Sequence, residues 1–175
     1  HLYDDIRNPS VLLYLFSKVD EDINLSMMTS FSDEKIKKYA PLYYSPTVIP
    51  FQNRDTAIYN LKKADILINI GNTVEFQVPA KIFEYMSTGK PIVHLSKIKN
   101  DPALKYLNHY SLLFVVNEWE VKEREYVHEL EKFCKENKGK QLTFEEVNEN
   151  LGEYADNAVI KKFLKILNTI LGEKC

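Results

Sequence analysis

Val78-Pro79-Ala80-Lys81-Ile82-Phe83-Glu84-Tyr85-Met86-Ser87-Thr88-Gly89-Lys90-Pro91-Ile92-Val93 reads as a short helix with both ends marked, leading directly into a buried strand. Pro79 suits the first helical turn, where its missing N–H costs nothing. Gly89 suits the left-handed position after the last turn, and Pro91 forbids continuation. Lys81 lies three positions before Glu84 on the same face. A helix N-terminus offers free N–H groups and partial positive charge, so it can hold a phosphate. A carboxylate one turn in can accept hydrogen bonds from sugar hydroxyls. Such a layout suits a nucleotide.

Working outward, strands and helices alternate. Asn8-Pro9 predicts a helix start, and Val11, Leu12, Leu15, Phe16 and Val19 follow at helical spacing. Ile23 to Met28 alternates as a strand. Ser32 caps a short helix over Asp33 to Tyr39, and Thr47-Val48-Ile49 is a β-branched strand ending at Pro50. Arg54 to Ala64 is helical, with Ala57, Ile58, Leu61 and Ala64 on one side. Ile66 to Ile70 is apolar on both faces, as in a parallel sheet. Gly71 to Gln77 is a loop, and the helix and strand quoted first come next.

Further on, Asp101 to Leu107 reads as helix and Leu112 to Val116 as a buried strand. Tyr126, Val127, Leu130, Phe133 and Cys134 form a helical stripe, as do residues from Tyr154 to Leu171. Glu118 to Glu131 is a solvated charged face, and Lys135 to Gln141 is a polar surface loop. The expected architecture is α/β: a doubly wound parallel sheet with helices on both faces. Ligands of such sheets bind beyond the carboxyl ends of the strands. The loop after Ile70 and the helix near Pro79 belong at that edge.

Composition narrows the class. A chain of 175 residues predicts a single domain over 1–175 with a real core. The net charge of −2 leaves no basic excess for nucleic acid. Cys134 and Cys175 form neither a disulfide framework nor a metal-ligand cluster, which favours a reduced, cytoplasmic setting. No apolar run reaches the ~18 residues of a membrane span. The opening His-Leu-Tyr-Asp-Asp is no signal peptide, and a strand looks cut short at Leu2-Tyr3. The expectation is a domain lacking a longer N-terminal half.

Ala64-Asp65-Ile66-Leu67-Ile68, a loop, and then Pro79 through Val93 is similar to the donor-binding half of GT-B glycosyltransferases of the retaining type. The resemblance implies a Rossmann-like C-terminal domain that holds a nucleoside diphosphate sugar, facing an N-terminal acceptor domain across a cleft. It implies that Glu84 accepts the donor's ribose hydroxyls and that Lys81 lies near the donor. The backbone of Val78, Pro79 and Ala80 would meet the diphosphate, and Arg7 would neutralise it from the first loop. Phe51, after the strand ending at Ile49, matches the region that contacts the base. No cofactor is implied beyond the donor itself, and no metal is required. Any membrane contact would come through the absent half. The full enzyme would transfer a sugar in surface-polysaccharide assembly.

Many retaining members carry a second glutamate eight positions before the ribose-binding one; here that position is Phe76. Glu75 is one residue away, and Asn72 and Gln77 are the nearest polar alternatives. Its absence favours a rival reading, a non-catalytic nucleotide-sugar-binding or scaffolding module of the same fold. A receiver domain is disfavoured, because Asp4-Asp5 and Lys90-Pro91 lack an aspartate ending a central strand. An epimerase would need further acids and histidines. His94, in mid-strand, reads as a core histidine with a hydrogen-bonded ring.

Overall fold

The computed structural model describes residues 7–120 and 123–154. The expectations for Leu2-Tyr3, for Asp4-Asp5, for Cys175 and for the stripe beyond Tyr154 lie outside these residues. The strands are β1 (Ser26–Thr29), β2 (Thr47–Pro50), β3 (Leu67–Ile70), β4 (Ile92–Ser96) and β5 (Leu113–Asn117). The helices are α1 (Ser10–Phe16), α2 (Asp33–Lys37), α3 (Arg54–Lys63), α4 (Lys81–Ser87), α5 (Leu104–Leu107), α6 (Glu123–Asn137) and α7 (Phe144–Leu151).

Every described strand pair is parallel. The pairs form two sheets, β1-β2 and β3-β4-β5, rather than the single doubly wound sheet expected. In register, Met27 faces Val48, Ile68 faces Val93, and Val93 faces Phe114. The alternation of strand and helix was legible. Which strands share a sheet was not, because pairing depends on long-range contacts that no local pattern encodes.

All five residues of β4 are buried, so alternate side chains enter opposite layers. Val93 and Leu95 pack with Leu12, Leu15 and Phe16 of α1 and with Leu130 and Cys134 of α6. Ile92 packs on the other face with Ile82 and Met86 of α4 and Leu107 of α5. Helices therefore cover both faces of the three-stranded sheet. Leu13, on α1, packs with Met27 of β1 and Ile36 of α2 in a separate cluster, which seats the second sheet against the same helix.

Local signals explain the helix ends. Asn8 Oδ1 accepts from the Ser10 amide at 2.9 Å. Ser32 Oγ accepts from the Lys35 amide at 3.4 Å, and Asn53 Oδ1 from the Thr56 amide at 2.9 Å. Helix α7 went unpredicted, although Thr143 and Glu146 form a full capping box at its start. Lys135 to Gln141 is not simply loop. Helix α6 runs on through Asn137, and Gly139, at φ +72°, makes the turn.

The Gly-Lys-Pro exit of α4 is an architectural joint. Lys90 donates its ammonium to the carbonyls of Lys62 and Ala64, the orphan end of α3. Gly89 has φ +71°, and its carbonyl accepts from the Leu142 amide at 2.8 Å. A Cβ at Gly89 would lie 2.6 Å from the Leu142 carbonyl oxygen. Gly89→Ala is therefore expected to cost about 2 kcal/mol or more, from the left-handed backbone and the clash together. Urea denaturation checks this; a loss under half that size would mean that the joint yields freely.

Candidate functional site

Helix α4 starts at Lys81, with Ala80 as its cap and Pro79 just outside. The Ile82 amide reaches the Pro79 carbonyl at 3.1 Å and the Phe83 amide reaches Ala80 at 3.3 Å. Glu84 thus lies in the first turn. Seven residues make a short helix with a small dipole, so side chains must supply most of any charge presented here.

A cavity of about 900 Å³ lies against this turn. Val78, Pro79, Ala80, Lys81, Glu84 and Arg7 all line it. Gln77 lines it as well. Its remaining walls include β1 and β3, the unpaired margins of the two sheets, and the apolar side of α3 at Ala57, Ile58 and Leu61. Lys81 and Glu84 are both exposed, and among the described residues no ion pair joins them. The i,i+3 pairing is not formed, and both side chains are open to solvent. Tyr85 is pushed above the ordinary phenol range by burial and by the adjacent Glu84 charge, so it stays protonated.

Arg7 is anchored. Its Nε donates to Asn72 Oδ1 at 2.9 Å, and Asn72 Nδ2 donates to the Gln77 carbonyl at 2.9 Å. Asn72 is 1% exposed, its amide is engaged on both sides, and it does not line the cavity. Phe51 is 74% exposed beyond β2 and does not line this cavity. Phe76 is 89% exposed, and Glu75 accepts from Asn100 Nδ2 at 3.0 Å. The sequence-predicted residues therefore gather in one place, apart from Phe51 and the buried Asn72.

A second polar cluster lies beneath the loop that follows β3. His94 Nε2 donates to Asp101 Oδ2 at 3.0 Å, with both side chains wholly buried. Ser96 Oγ donates to the same oxygen at 3.1 Å, and the Ala103 amide donates to Oδ1 at 2.9 Å. Asn69 Nδ2 donates to His94 Nδ1 at 2.8 Å. The core reading of His94 holds; its partners went unpredicted. The available signal was two polar residues, His94 and Ser96, at i,i+2 on one face of an apolar strand.

Cys134 lies in the core, and burial, with help from Glu131, pushes its thiol up to about 11. It is a packing residue and no nucleophile. Among the described residues, no cluster of three or more His, Cys, Asp or Glu could hold a metal ion. None of their helices is long and apolar enough to cross a membrane. No protein-family model, curated protein or solved structure matches this chain.

Burial pushes the Asp101 carboxyl up, but the hydrogen bonds from His94, Ala103 and Ser96 outweigh it and hold its pKa below the ordinary 3.8. The unfolded chain therefore takes up this proton before the native state does as pH falls. The stabilisation is complete above the ordinary aspartate range and is lost as pH drops through the lower folded value. Asp101→Asn is expected to lower Tm at neutral pH and to flatten the decline of Tm as pH falls below the ordinary aspartate range. A variant whose acid limb matches the wild type would mean that this carboxylate does not govern it.

Proposed function

We propose that this chain is the donor-binding domain of a GT-B-type glycosyltransferase. One observation carries the reading: Arg7, the stretch Gln77 to Lys81, and Glu84 line a single cavity. Arg7 and Lys81 bring positive charge to it. The amides of Val78, Ala80 and Lys81 donate to no acceptor among the described residues, so they are available to phosphate oxygens. Glu84, with no ionic partner there, is available to accept a ribose hydroxyl. In this reading the two described sheets are portions of one Rossmann-like, doubly wound sheet, and the start of α4 lies at its ligand edge.

Sugar transfer breaks the bond between the anomeric carbon and the diphosphate. Negative charge grows on the departing phosphate oxygen, and Arg7, anchored on Asn72, and the exposed Lys81 would stabilise it. Glu84 orients the donor and moves no proton. The acceptor and any general base belong to a second, N-terminal domain, and the cytoplasm is the compartment where such donors are met. A second reading has a specific observation in its favour. The position of the usual second glutamate is Phe76, exposed and without a carboxylate, and the nearby Glu75 is engaged by Asn100. That favours a module that binds the donor and does not catalyse.

Calorimetric titration with UDP, GDP and CMP tests both. One nucleotide is expected to bind, with Glu84→Ala weakening it by about 1.5–3 kcal/mol, the range for hydrogen bonds to a charged group. Arg7→Gln is expected to weaken a nucleoside diphosphate and leave the nucleoside unaffected. Absence of binding at millimolar concentration of every nucleotide sinks both readings. Binding without sugar transfer by the full-length protein selects the non-catalytic module.

A further inference from the structure

We infer that the buried Asp101–His94 pair is a positioning device for Arg7, acting through Gly71 and Asn72. The device is a stack of direct contacts. The Asp101 carboxylate is fixed by three donors from two elements: His94 and Ser96 on β4, and the Ala103 amide at the start of α5. Gly71, the first residue after β3, rests on that carboxylate. A Cβ there would stand 2.4 Å from Asp101 Oδ2, 3.0 Å from the Leu95 carbonyl oxygen and 3.4 Å from His94 Cε1. The Gly71 amide donates to that same Leu95 oxygen at 2.8 Å. Only glycine lets the chain pass so close to the pair. The next residue, Asn72, accepts from Arg7 Nε and holds the Gln77 carbonyl. Two residues therefore separate a rigid buried carboxylate from the basic side chain at the cavity.

Placement of this kind explains why the core carries these groups at all. A buried ionisable pair adds little net stability over well-packed apolar side chains, because desolvation offsets the attraction. What a fully bonded polar cluster does add is a single geometry. Among the described residues, no buried side-chain nitrogen or oxygen lacks a partner, so the cluster has no slack to adopt another arrangement. A loop seated on it inherits that definition. Asp101, His94 and Ser96 do not line the cavity. They act through the loop, and the identity of the ligand rests on the diphosphate reading given above.

The test uses hydrogen exchange followed by mass spectrometry on the full chain, joined to UDP titration. In Asp101→Asn, exchange in the 71–77 peptide is expected to quicken about tenfold at the Gly71 amide, which is bonded to the Leu95 carbonyl, while β1 and β2 keep their wild-type rates. UDP affinity falls about tenfold, and affinity for uridine is unchanged. Ser96→Ala, which removes one donor and leaves the pair, gives a smaller change in the same segment and keeps the proposal open to refutation if Asp101→Asn does not fold. Unchanged exchange at 71–77, or quickening spread evenly along the chain, overturns the positioning role. Local quickening with undiminished UDP affinity also overturns it. Local quickening in a protein that binds no nucleotide even as wild type upholds the loop mechanism and refutes the diphosphate reading alone.

Discussion

A strand buried on both faces cannot leave a polar side chain unanswered, and β4 carries two. His94 and Ser96 project into the same layer, and both find the carboxylate of Asp101. That requirement places the segment Asp101–Ala103 against β4 and so starts α5. It also determines how near the chain can pass on leaving β3, which makes Gly71 obligatory. The apolar residues on the opposite side of the strand, Val93 and Leu95, hold α1 and α6. One strand thereby sets the position of three helices and of the loop above the candidate site.

The candidate site is assembled from distant parts of the chain. Arg7 and Asn72 are 65 positions apart and are joined by a hydrogen bond. Lys97 makes a similar link. Its ammonium lies 2.6 Å from Glu118 Oε1 beyond β5 and 3.4 Å from the Asn8 carbonyl. The first loop is thus held from both sides, by β3 through Asn72 and by β4 through Lys97. An arginine so restrained keeps its charge in place without ligand, and preorganised charge loses less when a phosphate arrives.

The sequence showed where elements begin and end. Ser32 and Asn53 cap the helices that follow them, and strand limits fell within one to three residues of those observed. These features are local: a cap bonds an amide two or three residues on, and a left-handed glycine answers to its own backbone. Helix α7 was equally local and was missed because its capping box precedes a polar, weakly periodic run. The end of α6 was misplaced for the reverse reason. Lys135, Glu136 and Asn137 look like loop, yet Lys135 is held by Asp20 and Glu131 and the helix continues. At Lys90 the pattern pointed to the exit of one helix, while the side chain closes another, 26 residues earlier.

By itself, then, the sequence determined the alternation of strand and helix, the parallel character implied by a strand apolar on both faces at Ile66 to Ile70, and the gathering of Val78 to Glu84 around one short helix start, because each depends on neighbours within a few residues. Tertiary structure alone decided the division into two sheets, the burial of Asn72, the exclusion of Phe51 from the cavity and the partners of His94. Those outcomes depend on which distant segments exclude water from one another, and burial of that kind has no signature in local spacing.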